Sequence, residues 1–326
     1  MPEFDLIRRL QEIIELPAAP GSRGCVLGIG DDAAVLDIPS GRQLVVCTDT
    51  LVEGVHFPAN TCPHAIGYKS LAVNLSDLAA MGAEPGWFFM ALTLPDGDAA
   101  WVESFARGMA GLAQEAGIVL AGGDTTSGGL SITVTAVGLV DKGMALTRGG
   151  AKPGDHILVS GTPGRAALAL QQLQAGAKPL PDCLAALEYP VPRLALGLAL
   201  GGTASACIDI SDGLAADLGH ILERSDTGAR LDLGRLPGTD SFSGLGEQER
   251  WSLQLAGGDD YELCFTVPPG AMHRIPAIAS ECGVALTEIG IVAAHAGLVL
   301  EQPGGGLFEP GNAGYQHFSA TDSKKE

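Results

Sequence analysis

The aspartates of this chain gather where apolar runs meet glycine turns. They stand in GIGDD (Asp31, Asp32), VVCTDT (Asp49), AGGDTT (Asp124), CIDISDG (Asp209, Asp212) and AGGDDYE (Asp259, Asp260). Asp77 in NLSDL differs: it lies inside a helical pattern, on the side away from Leu71, Leu75 and Leu78 and near Ser70 and Asn74. The run Val26–Leu36, VLGIGDDAAVL, opens like a phosphate-binding loop, yet it offers two carboxylates where a P-loop offers Lys and Ser or Thr. A single Asp in such a place caps a helix or closes an Asx-turn. Five segments with the same punctuation argue for more. Neighbouring apolar strands would bring several of these carboxylates to one sheet edge. Like charges 4 Å apart repel by about 4 kcal/mol at an effective dielectric of 20, so such a cluster requires cations. Oxygen ligands without His or Cys companions point to Mg²⁺, which takes a few carboxylates and keeps positions for water and phosphate oxygens. On this reading the glycines let the backbone approach the ligand, and the aspartates hold metal ions that bridge to its phosphates.

Weaker signals point the same way. DISDGLAADLGHI runs from strand to helix, so amides near Ser211–Gly213 are placed to meet a phosphate at a helix N-terminus. The same residues also read as a Ser211 cap with Asp212 in the first turn. AGGDTTSGG supplies a glycine turn with hydroxyls, and Arg148 opens a glycine-rich joint as either a phosphate clamp or an ordinary surface arginine. GTPGRAAL reads as a plain helix start with Pro163 near its first position. No Walker A, HRD or DFG set, GxSxG or HExxH occurs.

The elements that must position these groups follow from periodicity. After an amphipathic helix in MPEFDLIRRLQEIIEL, strands are expected at GCVLGIG and QLVVCTD, a helix at PHAIGYKSLAVNLSDLAAMGA and a buried strand at WFFMALTL. A helix at DAAWVESFARGMAGLAQEAG and strands at IVLAGGD and LSITVTAVGLV follow, an order that predicts an α+β layer with helices on one face of a sheet. RGGAKPGD (148–155) reads as a domain joint. Beyond it come helices around Arg165–Gln174, from Gly213 to about Glu223, near Trp251 and near Ala279. Strands are expected at ACIDI, RLDL, ELCFTV and EIGIV.

With 326 residues, 19 Lys and Arg and 38 Asp and Glu, the chain has a formal net charge of −19 and room for two domains. That charge argues against nucleic acid and anionic membranes as partners. The 7 cysteines include no CxxC pair and read as reduced thiols, hence a cytoplasmic protein. The opening run reads as a helix, not a signal peptide, and no later apolar run is long enough to span a bilayer.

Taken together, GIGDDAAVL, TDTLVEGVHF, YKSLAVNLSDLAAMGAEP, GGDTT, LTRGGAKPGD, IDISDGLAADLGHI, GGDDYELCFTV and GYQHF resemble the thiamine-monophosphate kinases. That family shares a superfamily with aminoimidazole ribonucleotide synthetase and selenophosphate synthetase. The resemblance implies ATP-dependent phosphorylation of thiamine monophosphate to thiamine diphosphate. It implies several Mg²⁺ ions on Asp32, Thr48, Asp49, Asp77, Asp124, Asp209 and Asp212. ATP contacts are implied for Gly123, Asp124, Arg148 and Ser211, and substrate contacts for His56, Asp259 and Tyr315. The implied architecture is a two-domain α/β (α+β) chain that forms a homodimer. Residues 1–147 would bind ATP and Mg²⁺ and dimerise through their sheet, and 148–326 would form a C-terminal α/β domain. Two positions depart from the family pattern. Cys47 stands where Ser is frequent, removing a hydroxyl from the metal set, and Asp259 stands where Glu is common, shortening the carboxylate's reach.

The residues suit that chemistry. The acceptor is a phosphate monoester whose second pKa, by analogy with phosphoserine, is about 6, so it is mostly ionised and needs no general base. No residue is therefore expected to act as one, and transfer is expected to be direct, without a phosphoenzyme. Suppressing repulsion between two polyanions falls to Mg²⁺ and Arg148. Tyr315 suits stacking on a substrate ring, and Asp259 suits a hydrogen bond from the aminopyrimidine. Two alternatives remain at this level: a superfamily enzyme with another acceptor, and an acidic Mg²⁺- or Ca²⁺-binding protein without catalysis. The absence of an EF-hand loop argues against the second.

Overall fold

The computed structural model describes residues 3–14, 24–309 and 314. Tyr315 lies outside the described residues. The chain divides into two compact units. One runs to Ala145 and includes Glu188–Gly201; the other holds Leu146–Leu187 and the chain from Gly202 onward.

The first unit begins with α1 (Glu3–Ile14) and a short ribbon, β1 (Cys25–Leu27) with β2 (Val35–Leu36). Then come β3 (Arg42–Val52), α2 (Pro63–Ala80), β4 (Glu84–Leu94), α3 (Ala99–Ala116), β5 (Val119–Ser127) and β6 (Ser131–Asp141). The main sheet has the order β3-β6-β4-β5. Only β4 and β5 run parallel, as their α3 crossover requires. The α3 helix is delimited as its sequence dictates. Asp98 accepts the Ala100 N–H at one end, and Gly117, at φ 63°, takes the left-handed turn at the other. α2 is buried on nearly every side, Ser70 and Asn74 included, between the sheet and α3. Its approach to α3 depends on two missing side chains. A Cβ on Gly67 would sit 2.0 Å from the Phe105 carbonyl oxygen, and one on Gly108 would sit 1.9 Å from that of His64. Backbone contact of this kind fixes α2, and therefore Asp77, against the sheet.

The second unit supplies β7 (His156–Ser160), α4 (Arg165–Gln174) and α5 (Pro181–Glu188); α6 (Leu194–Ala199) returns to the first unit. Then follow β8 (Ala206–Asp209), α7 (Leu214–Ser225), β9 (Gly228–Asp232), α8 (Glu247–Ala256), β10 (Leu263–Val267), α9 (Ile275–Cys282), β11 (Leu286–Ala293) and β12 (Gly297–Glu301). Their sheet has the order β12-β9-β11-β7-β10-β8 and is antiparallel except for β12 on β9. Ile208, Leu214, Leu218, Ile221, Trp251 and Ile289 form its core, packing α7 and α8 on the sheet. No described helix is long and apolar enough to cross a membrane.

β2, β7, β12, α5 and α6 are present in addition to the elements expected from periodicity. β2 spans two residues, too few for any period to show. α4 also starts differently from expectation: its cap is Gly164, so Pro163 lies before the helix rather than at its first position.

Candidate active site

The structure sorts the sequence-predicted residues into three groups. The first lines a cavity of about 470 Å³ in the first unit. Its apolar wall comes from Ile7 and Leu10 of α1, Phe89 and Met90 of β4, and Leu120 of β5; its polar side is the Gly28–Ala34 loop with Gly122, Gly123 and Asp124. The β1–β2 ribbon delivers this loop, so Asp31 and Asp32 reach the same cavity as Asp124 and Gly123. All three carboxylates are exposed. An apolar wall beside glycine backbone and carboxylates suits a nucleotide whose phosphates are carried with cations.

The second group lies between β3 and α2. Asp49 and Asp77 place their carboxyl groups within hydrogen-bond reach of each other. Asn74 Oδ1 accepts the Asp49 backbone N–H at 3.2 Å, tying strand to helix. Burial raises the Asp49 pKa; the Asp77 hydrogen bond and His56 oppose that rise. His56 Nδ1 accepts the Val52 N–H at 3.0 Å, which leaves the proton of the neutral ring on Nε2. Cys47 is beside this pair. Its Sγ lies 3.4 Å from the Asn74 carbonyl, and burial and then the Asp77 charge push its thiol well up, so it stays protonated there. Asp49 and Asp124 stand in adjacent cross-strand rows of the sheet. Asp49 shares its cross-strand row with Val134, Met90 and Gly123, whereas Asp124 shares the next row with Ala91, Thr133 and Thr50. Adjacent rows face opposite sides. Thr48 points to the open side, where its hydroxyl lies 2.9 Å from that of Thr135.

The third group is in the second unit, where the segment after β8 is laced to the segment before β10. Asp259 N–H donates to the Ser211 carbonyl at 2.9 Å and Tyr261 N–H to that of Ile210 at 2.8 Å. Asp259 and Tyr261 both hold positive φ, 66° and 52°, and the Tyr261 hydroxyl donates to Asp259 Oδ1 at 3.1 Å. Between them Asp260 accepts the Gly164 N–H with both oxygens, at 2.9 and 2.8 Å. Burial pushes its pKa well above the usual carboxylate range, against the pull of that N–H.

Two expectations about this unit need correction. The amides of Ser211, Asp212 and Gly213 do not stand open for a phosphate: all three donate to Asp217 Oδ2, at 2.9, 3.1 and 3.1 Å. Nor is Ser211 the cap of α7. That position is Gly213, at φ 121°, where a side chain would be strained. Asp217 escaped the sequence reading because an Asp in a first helical turn is ordinary; its burial, 3% exposed, is what singles it out. Asp209 closes β8 and is buried. Burial and then the Asp209 charge raise Asp217 to about 7. Arg148 is exposed, and its carbonyl accepts the Ser225 hydroxyl at 3.3 Å, at the C-terminal end of α7. Within this unit it is therefore not brought to Ser211 and Asp212, which precede the other end of that helix.

The geometry meets its relatives here. The AIR synthase related protein N-terminal domain matches residues 30–140, and the C-terminal domain of the same proteins matches residues 152–302. The chain is 50% identical over 269 residues to the thiamine-monophosphate kinase of Escherichia coli (strain K12), covering 80% of this chain and 82% of the relative. The chain belongs to the thiamine-monophosphate kinase family. The crystal structure of the thiamine-monophosphate kinase from Stenotrophomonas maltophilia K279a superposes with a TM-score of 0.84 at 44% identity, over 92% of this chain and 96% of that one. AaThiL complexed with AMPPCP and TMP superposes with a TM-score of 0.75 at 30% identity, over 97% of each chain. The two-domain α/β architecture is thus that of the thiamine-monophosphate kinases.

Mg²⁺ fits the donors present. The described residues contain no group of three or more His, Cys, Asp or Glu side chains drawn together as an all-protein cage. Mg²⁺ needs none, since it binds through one or two carboxylates and completes its shell with water and phosphate oxygens. The Asp49–Asp77 pair, two carboxyls turned toward each other in a half-buried place, has the character such an ion satisfies.

Thiol reactivity follows from the same burial. Burial pushes the Cys207 and Cys264 thiols far up, whereas Cys62 is exposed. Iodoacetamide added to the native protein is expected to modify Cys62 first and to reach Cys207 and Cys264 only after denaturation. Peptide mass spectrometry reads this directly, and native labelling of Cys207 would contradict the packing.

Proposed function

We propose that the chain transfers the γ-phosphoryl group of ATP to the phosphate of thiamine monophosphate, giving thiamine diphosphate. The observation that carries this reading is the 50% identity to a thiamine-monophosphate kinase across 80% of the chain. The structural likeness to AaThiL complexed with AMPPCP and TMP, read as an ATP analogue and thiamine monophosphate, supports it. Gly123 and Asp124, on the cavity of the first unit, are assigned to ATP, with Arg148 and the Ser211 hydroxyl as further ATP contacts. Asp32, Thr48, Asp49, Asp77, Asp124, Asp209 and Asp212 are assigned to Mg²⁺. When bound, Mg²⁺ supplies charge neutralisation between donor and acceptor phosphates. The protein's own share is placement. Asn74 and α2 hold Asp49 and Asp77; the β1–β2 ribbon holds Asp32; the strained Asp259–Tyr261 turn holds the Asp259 carboxylate for the substrate, with His56 and Tyr315 as its other contacts. No side chain is assigned as general base, because the acceptor phosphate is already ionised near neutral pH.

Residues 1–147 are taken as the ATP- and Mg²⁺-binding, dimer-forming part and 148–326 as the C-terminal part. A homodimer through the first sheet is supported by its open side, where Leu44 and Val46 are exposed beside the hydroxyl pairs Thr48–Thr135 and Thr50–Thr133. A cytoplasmic location is supported by the seven cysteines all being free thiols.

A coupled assay of ADP release tests the reading. ADP is expected to appear with ATP, Mg²⁺ and thiamine monophosphate, and to fall to background when thiamine replaces thiamine monophosphate or when EDTA exceeds Mg²⁺. ADP release that ignores the phosphate on the acceptor would overturn it.

A further inference from the structure

Resting on the Mg²⁺-dependent reading above, we infer that Asp217 is a positioning residue that makes the start of α7 a place for a cation instead of an anion. A helix N-terminus with open amides attracts phosphate. Here the amides of Ser211, Asp212 and Gly213 converge on one oxygen, Asp217 Oδ2, within 3.1 Å. The turn is also held from its other side, where the Ser211 carbonyl accepts the Asp259 N–H at 2.9 Å. A Cβ on Gly258 would lie 2.5 Å from that same carbonyl oxygen, so the two segments touch backbone to backbone. The outcome is a turn whose amide donors are all taken by Asp217, while the charges of buried Asp209 and of Asp212 both act on that same carboxylate. An approaching phosphate finds no open amide there and meets negative charge, so it can dock only together with a cation. The role inferred for Asp217 is not ligand contact; it acts through the turn it holds, which carries Asp212 three residues after Asp209. Groups in this supporting role typically affect metal affinity about 10- to 100-fold.

Mn²⁺ binding to the full-length protein, followed by electron paramagnetic resonance without nucleotide, tests this. Asp217→Ala is expected to weaken, by about 10- to 100-fold, the same component of Mn²⁺ binding that Asp209→Asn removes. Asp217→Asn keeps an oxygen for the amides and is expected to retain most of that affinity. If Asp217→Ala does not fold, Asp217→Glu decides: its longer chain moves the oxygen off the amides and should give the same weakening. Circular dichroism and a thermal melt establish folding for each variant. Folded Asp217→Ala or Asp217→Glu protein with wild-type Mn²⁺ affinity and only a lower melting temperature would reduce Asp217 to a structural anchor and overturn the inference. Mn²⁺ binding requires no acceptor, so this result is independent of whether thiamine monophosphate is the substrate.

Discussion

Asp49→Asn is expected to fold, to lose about 100- to 1,000-fold in kcat, and to be more heat-stable than the parent when metal is absent. The activity loss follows from the place of Asp49 in the metal set. The stability gain follows from its surroundings. Asp49 is half-buried against Asp77, and burial raises its pKa above 3.8. A raised carboxylate pKa means that ionisation is disfavoured in the folded state. Its contribution to stability is therefore full below the unfolded pKa and declines as pH rises through the folded one. Near neutral pH, Asn removes a charge that the metal-free fold resists. Relief of about 1 kcal/mol would raise the melting temperature by roughly 2–4 °C in a domain of this size. The gain should vanish when Mg²⁺ is added, because the parent alone is then stabilised by its ion. Calorimetry with EDTA and with Mg²⁺, beside steady-state kinetics, checks both halves. Unchanged kcat would remove Asp49 from the site, and a lower metal-free melting temperature would show that its carboxylate is a structural anchor.

Trp87→Ala is expected to cost about 3–5 kcal/mol of stability and, with it, nucleotide affinity. Trp87 is 0% exposed and packs with Ala121, Val137 and Leu139 on the side of the sheet that Cys25, Ala34 and Leu36 cover. Cys25 and Leu36 flank the Gly28–Ala34 loop and Ala34 ends it, so the indole is the floor on which the ribbon carrying Asp31 and Asp32 rests. Its removal leaves the ribbon little to rest on beyond its own few strand bonds and the Gly24–Asp37 backbone bond of 2.7 Å. Urea unfolding and ATP titration should both respond. A stable variant with undiminished ATP affinity would show that the loop is held by something other than this cluster.

What could be read from the sequence divides along physical lines. α3 was fully legible because its period, its Asp98 cap and its Gly117 terminus agree. α2 was legible as a helix, yet its burial on all sides was not, since the decisive contacts are glycine backbones meeting α3. β7 and β12 went unread because HILVS and GLVLE are short apolar runs that fit a strand or a buried turn of helix equally well. That Glu188–Gly201 belongs with the first unit leaves no local trace at all, since it is a long-range packing choice. At the site, the aspartates stood out by their repeated place beside glycines. Their division between two faces of one sheet did not, because it follows from strand register. The roles of Asp217 and Asp260 also stayed hidden. Each is a carboxylate that accepts backbone N–H groups, and that distinction exists only in three dimensions.

The central claim is that these carboxylates support phosphoryl transfer onto thiamine monophosphate. ³¹P NMR of the purified protein with ATP, Mg²⁺ and thiamine monophosphate tests it most directly, with a matched sample containing EDTA. The expected result is growth of diphosphate-ester resonances in step with ADP, absent under EDTA. ATP that stays intact, or that yields only ADP and free phosphate, would contradict the assignment of the acceptor.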